Sequence, residues 1–377
     1  MELRLEDDQQ LLLETTQRFL STEAPIAEVR RLHDDEVGFD RSIWQRGAEL
    51  GWISLLVPED LGGGSVSGNG LADLCLVAEE FGRQVAPGPL LPVNVVAATL
   101  CRSGTDTHKS EVLPQLVAGE AIATWAFAES NDRWDAAGVE LTASQAGDAW
   151  TLDGTKSFVQ DAAESDHYLV TARTGEGLSQ FLVAAGSPGV SVEALTSLDM
   201  TRRYGNLVFD RASVPASALI GTAGGADDDV EYQIQLALVL QNAETVGATE
   251  KVFDMTLEYA NDRMSFGRPI GSYQAIKHRL ADMKLWLEAC LGTSSASARA
   301  VQADAADAGE LVSISKAYIA EKCPFIVQDC IQLHGGIGVT WEHDIHIYLR
   351  RVAQNAALYG SARRHRTRLA DLTGVTA

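Results

Sequence analysis

Between Asp329 and Ser361 the chain reads DCIQLHGGIGVTWEHDIHIYLRRVAQNAALYGS. An apolar helical run ends at Gly335-Gly336, where the missing Cβ atoms let a flat or charged ligand come close to the backbone. That pair offers a binding corner. His334, His343, His346 and His365 do not fall at the spacing of a known metal-ligand set, so no metal is expected. Trp341-Glu342-His343-Asp344 reads as a helix entry, where carboxylates are favoured. Arg363-Arg364-His365-Arg366 has the pattern of a solvated face, although in an acidic chain it could dock phosphates or an acidic partner surface. The five cysteines, Cys75, Cys101, Cys290, Cys323 and Cys330, form no C-x-x-C pair and sit mostly in apolar helical patterns, as buried reduced thiols do.

The elements that position this corner come in three blocks. From the start to about Glu120 the period is helical: Leu12, Thr16, Phe19 and Leu20 form one stripe, and Ile43, Gly47 and Leu50 another that ends at Gly51. Helix resumes from Gly70 to Phe81. From Ala121 the pattern alternates over Val139 to Ser144, Trp150 to Asp153, Tyr168 to Ala172, Phe181 to Ala185 and Leu207 to Phe209, with Asp153-Gly154 as a hairpin-type dipeptide. A loop rich in Gly and Asp follows Gly221, then three long helices. The second carries Tyr273, Ile276, Leu280, Met283, Leu287 and Cys290 at bundle spacing. The third covers about Glu310 to Leu333 and contains Pro324, read as a kink and not a break. After Gly338, Ile345, Tyr348, Leu349 and Val352 recur at helical spacing up to Tyr359-Gly360-Ser361. The expected class is α+β: an N-terminal α-helical domain (1–120), a middle antiparallel β domain (121–221) arranged as a small sandwich or barrel, and a C-terminal four-helix bundle (222–377).

A length of 377 residues and 46% hydrophobic composition allow roughly two to three domains with real cores. The net charge of −22 argues against a surface that binds nucleic acid or anionic lipid. The opening MELRLEDDQQ has no signal or transit character, and no run approaches the roughly eighteen apolar residues of a membrane span, so a cytoplasmic protein is expected.

The glycine corner with Gln332 is similar to the Q-[IL]-x-G-G-x-G signature of the acyl-CoA dehydrogenase family. Arg263-Met-Ser-Phe266-Gly-Arg-Pro-Ile-Gly-Ser-Tyr-Gln274 resembles that family's R-x-x-F-G-x-x-[IL]-x-x-x-Q run. VPEDLGGG (Val57 to Gly64) resembles its V-P-E-x-x-G-G turn, and HKSEVLPQLVAGE the exit from its first domain. The likeness spans nearly the whole chain and implies a flavin, FAD, lying between subunits. Its ADP end would meet Arg263, Phe266, Gln274, Gln332, Gly335 and Gly336: a guanidinium for pyrophosphate, a ring for adenine, an amide for ribose or phosphate oxygens. On the bland alternative, Arg263 caps a helix and Phe266 is core.

The flavin-ring side departs from the family. Its T-E-P-x-x-G-S-D reads Ala128-Glu129-Ser130-Asn131-Asp132-Arg133, with only the Glu kept, and its W-[IV]-[TS] reads Phe158-Val159-Gln160. The gapless register from Gly338 to Gly360 puts Tyr359 where the family has its catalytic Glu. A carboxylate with pKa around 4 is ionised at neutral pH and can take a Cα proton; a phenol near 10 cannot unless a cation such as Arg363, Arg364 or Arg366 depresses it. Some relatives carry the base on the first bundle helix, but that position falls on Ala237, with Glu244 about 10 Å further along.

The resemblance therefore implies a subunit without a catalytic residue of its own. Its partners would be a homologous chain carrying the Glu, in an α2β2 assembly, an acyl-CoA substrate such as a steroid or other bulky CoA ester, and an electron-transfer acceptor. Two alternatives stay open: a homo-oligomeric acyl-CoA dehydrogenase with an atypical base, and a flavin-free scaffold or CoA-ester binding protein.

Overall fold

The structure, a computed structural model, describes residues 5–375 except 34 and 36; the MELR of the opening segment lies outside the described residues. Six helices come first: α1 (Asp7–Glu23), α2 (Ile26–Leu32), α3 (Arg41–Ala48), α4 (Gly70–Arg83), α5 (Leu90–Ser103) and α6 (Leu113–Val117). Leu12, Thr16 and Leu20 bury the inner face of α1, as their spacing predicts. They close over Trp52, whose ring meets Phe19 at 5.3 Å and Phe81 at 5.0 Å, both edge to face, and whose Nε1–H donates to Thr16.

The strands are β1 (Ala123–Ala126), β2 (Thr142–Ala146), β3 (Ala149–Gln160), β4 (His167–Thr174), β5 (Gly177–Ala184), β6 (Val190–Leu195), β7 (Tyr204–Pro215) and β8 (Leu219–Ile220). They form one eight-stranded sheet in the order β6-β7-β3-β2-β4-β5-β8, with β1 beside β4. Most pairs are antiparallel, but β1 runs parallel to β4. The hairpin between β2 and β3 turns at Gly147-Asp148, not at Asp153-Gly154. Those two residues lie inside β3, where the register against β7 slips between Leu152 and Gly154, and Gly154 takes φ +135°. A bulge uses the same small, turn-prone residues as a hairpin, which is why the dipeptide misleads.

The bundle comprises α7 (Asp227–Asp262), α8 (Gln274–Gln302), α9 (Ala308–His334), α10 (Ile345–Ala357) and α11 (Ala362–Leu372). A short hairpin, β9 (Met264–Ser265) with β10 (Arg268–Pro269), joins α7 to α8. α9 runs unbroken through Pro324. The helical first domain locks onto the bundle where α4 crosses α7 at two glycines: a Cβ on Gly82 would stand 1.9 Å from the Glu244 carbonyl oxygen, and one on Gly247 2.0 Å from that of Glu79.

Candidate functional site

α7 ends at Arg263, whose backbone N–H caps Tyr259 O at 2.8 Å, so this residue is the helix C-cap, as the bland alternative had it. The β9–β10 turn carries Phe266 at φ +50° and Gly267 at φ +78°, the left-handed pair that tight two-residue hairpins require. The Tyr273 hydroxyl donates to Ser265 O at 2.9 Å and the Tyr273 ring lies under Arg268, pinning the hairpin. Phe266 is left 96% exposed; it is not core, and the bland alternative fails on that residue.

At the same end, α9 stops at His334 and Gly335 turns the chain at φ +65°, with nothing within 4 Å of a Cβ on Gly335 or Gly336. His334 stacks on Tyr259 at 4.4 Å and its carbonyl accepts from the Tyr259 hydroxyl, so the hairpin and the glycine corner share one end of the bundle. Gln274, at the start of α8, and Gln332 are exposed there too. The six residues singled out for binding are thus accessible groups around one open corner. His343 meets His334 ring to ring at 4.7 Å, while Asp344 is taken by Arg30 at 2.8 Å. No group of three or more His, Cys, Asp or Glu side chains among the described residues could hold a metal ion.

The other face, between the sheet and the bundle, is crowded. Tyr359 follows α10 with φ +58°, a conformation strained for a residue with a Cβ. Its ring meets Trp134 edge to face at 5.4 Å and Trp125 at 5.8 Å, and Trp134 lies 6.0 Å from Phe158. Desolvation in this setting pushes the phenol well above its ordinary value, and the pull of Arg202 does not offset it. The nearby arginines do not serve it either. Arg364 pairs with Asp135 at 2.7 Å, Arg366 with Glu321, and Arg363 is exposed. The condition under which Tyr359 could serve as a base, a cation from this cluster depressing it, is therefore not met.

Glu244 lies beneath, buried. Arg202 donates to its Oε1, as does Arg351 at 2.8 Å, and Asn355 donates to its Oε2 at 3.0 Å. Burial alone would raise its pKa, but the two guanidiniums and the amide win and hold it below the ordinary carboxylate range. A carboxylate so engaged is a poor proton acceptor. Arg351, fully buried, also pairs with Asp199 and donates to Thr201 and to the Ala86 carbonyl. This network, which joins all three blocks, escaped the sequence reading because Arg350-Arg351 looks like a solvated pair. Its signal was that Arg351 shares the inward face of α10 with Tyr348, Val352 and Asn355.

Glu129, the survivor of the eroded motif, has structural work. Its Oε1 accepts from the Glu140 and Leu141 N–H groups at 2.9 and 3.0 Å and from buried Lys156 at 2.6 Å. Burial lowers Lys156 to about 8, against the pull of Glu129. Gln160 donates its amide to Asp161 and to the Gly88 carbonyl.

A helical block, a sheet and a helical bundle, with exposed glycines and an exposed hairpin at the bundle end, give the architecture of a flavin-type acyl thioester dehydrogenase. Family models confirm the class. Residues 6–120 match "Acyl-CoA dehydrogenase, N-terminal domain", 124–212 the middle domain and 233–372 the C-terminal domain. The chain belongs to the acyl-CoA dehydrogenase family. It is 30% identical over 368 residues to the acyl-CoA dehydrogenase IpdE2 of Mycolicibacterium smegmatis, covering 97% of this chain and 98% of that one. Among solved structures it resembles a variant of the Tcur3481-Tcur3483 steroid ACAD (30% identity, TM-score 0.88, 98% of each chain). It also resembles the ChsE4-ChsE5 complex of Mycobacterium tuberculosis (29% identity, TM-score 0.89, 100% of each chain).

Proposed function

We propose that this chain is the base-lacking subunit of a hetero-oligomeric, flavin-dependent acyl-CoA dehydrogenase, an α2β2 assembly with a homologous partner. Arg263, Phe266, Gln274, Gln332, Gly335 and Gly336 hold the ADP end of an FAD whose ring and catalytic Glu belong to that partner. When bound, the flavin accepts the hydride that leaves the acyl thioester. The observation that carries the reading is the inequality of the two half-sites. The corner is bare and pre-shaped, with Phe266 at 96% exposure, whereas the ring side holds a desolvated phenol and a carboxylate locked by arginines. The corner fits the nucleotide; the ring side does not fit a working flavin and base.

The three blocks, 1–120, 121–221 and 222–377, serve as the family's three domains. Among the described residues no helix is long and apolar enough to cross a membrane, in keeping with a cytoplasmic enzyme. A solved structure named as a steroid ACAD favours a steroid or comparably bulky CoA ester as substrate, and electrons would pass to a separate carrier.

The test is purification alone and with a homologous chain carrying the Glu. The lone chain should be flavin-poor and inactive, and the complex yellow and active. Full flavin occupancy with dehydrogenase activity of the lone chain would remove the proposal, and a colourless complex would favour a flavin-free scaffold.

A further inference from the structure

Tyr259, in the last turn of α7, touches both walls of the open corner. Its backbone carbonyl accepts from the Arg263 N–H at 2.8 Å, and the Arg263 carbonyl accepts in turn from the Ile270 N–H at 2.8 Å. The stem of the β9–β10 hairpin therefore hangs from this residue. Its side chain reaches the other wall, 75 positions further along the chain: the ring stacks on His334 at 4.4 Å with 21° between the planes, and the hydroxyl donates to the His334 carbonyl at 3.3 Å. That bond is long for O–H···O, so the stack carries most of the tie. The His334 carbonyl shares a peptide plane with the Gly335 N–H, which donates to the Gln332 carbonyl. His334 is held from behind as well, buried, with its Nδ1–H on the Cys330 carbonyl at 2.9 Å. The glycine segment folds back on it, since a Cβ on Gly338 would stand 2.9 Å from the His334 Cβ. Arg263 on one wall, and Gln332 with Gly335 on the other, thus take their places from one tyrosine, while their own side chains or Cβ positions stay open to a ligand.

We propose that Tyr259 is a positioning residue for the nucleotide: it sets the spacing between the Arg263 wall and the Gln332–Gly335 wall so that one diphosphate meets both at once. This role rests on the corner holding the ADP end of FAD, as in the function proposed above. The physical reason is preorganisation. A ligand that bridges two walls already held at a matched spacing gives up little binding energy to ordering them, and a ligand that must first draw them together loses that advantage.

The experiment is rebinding of FAD to the flavin-stripped complex with the Glu-bearing chain, followed by quenching of flavin fluorescence, with folding checked by circular dichroism. Y259L, which removes both the stack and the hydroxyl, should weaken FAD about tenfold, and Y259F, which keeps the stack, about twofold to threefold. The sharper readout is a double-mutant cycle with R263A. A tyrosine that only stabilises the fold leaves the cost of R263A unchanged, whereas one that sets the spacing makes R263A cost about threefold less, or lower still, in the Y259L background than in the wild type. Equal costs in the two backgrounds, or wild-type FAD affinity in Y259L, would overturn the role. Should Y259L not fold, H334Q, which breaks the same stack from the α9 side, takes its place in the cycle with the same two outcomes. R263A binding FAD as tightly as the wild type would remove the reading of the corner, and this role with it; a costly R263A beside a silent Y259L removes the role of Tyr259 alone.

Discussion

Tyr359 occupies a left-handed backbone position, ringed by tryptophans, with its phenol held protonated by desolvation. Replacing it by Phe removes only the hydroxyl. In the assembled enzyme Y359F is expected to change turnover by less than about twofold, because a proton-accepting group normally contributes a factor of about a hundred or more. A steady-state assay of the complex checks this. Arg351 is a different case. R351M leaves Asp199 and Glu244 buried with a missing partner, and breaking a buried pair in this way costs about 3–5 kcal/mol, read as a lower urea midpoint. Lys316 is buried between Gln241 and the Asn355 carbonyl, and desolvation lowers it from 10.5 to about 7. Its folded state sheds a proton that the unfolded chain keeps, so stability should rise as pH climbs from about 7 towards 10.5. K316M should flatten that slope in denaturation series at several pH values. Glu244 acts in the opposite window: its depressed pKa supplies stability that disappears as pH falls below the ordinary carboxylate range.

At the level of elements, the Gly82–Gly247 crossing of α4 and α7 tolerates no side chain. G247A places a methyl against the Glu79 carbonyl, and since both atoms belong to rigid helices the expected loss is about 3 kcal/mol or more, measured by thermal unfolding. Elements with a long, strict period were legible in the sequence: α1, α8 and α9 lie where their apolar spacing puts them, because one buried face repeats many times. The parallel partnership of β1 with β4 was not legible, since alternation reports burial and not strand direction. The corner at Gly335-Gly336 was visible as a helix stop. The R-x-x-F-G resemblance favoured Phe266 as an outward contact, but spacing alone could not, because the same residue type serves core and contact, and only the hairpin geometry separates them. The eroded ring side was readable residue by residue, but the buried guanidiniums behind it were not: a charge inside a protein is recognised by its partners, and these lie 42 to 152 positions away in the chain.

For the whole molecule, a surplus of acidic over basic residues, 52 against 30, keeps the surface generally negative, while the proposed cofactor corner offers Arg263 beside bare glycines. If the corner serves a neighbour's flavin and the ring side serves none, the purified complex should contain one FAD for every two chains. Absorbance of released flavin against total protein gives that ratio; one FAD per chain would contradict the division of labour. The hairpin carries a further consequence. A benzyl group standing almost wholly in water on an otherwise well-packed chain is an adhesive spot until something sits on it. Copies synthesised beyond the supply of their counterpart are therefore expected to clump or be degraded, and a host making both polypeptides in equal number should recover more soluble material than one making this polypeptide first.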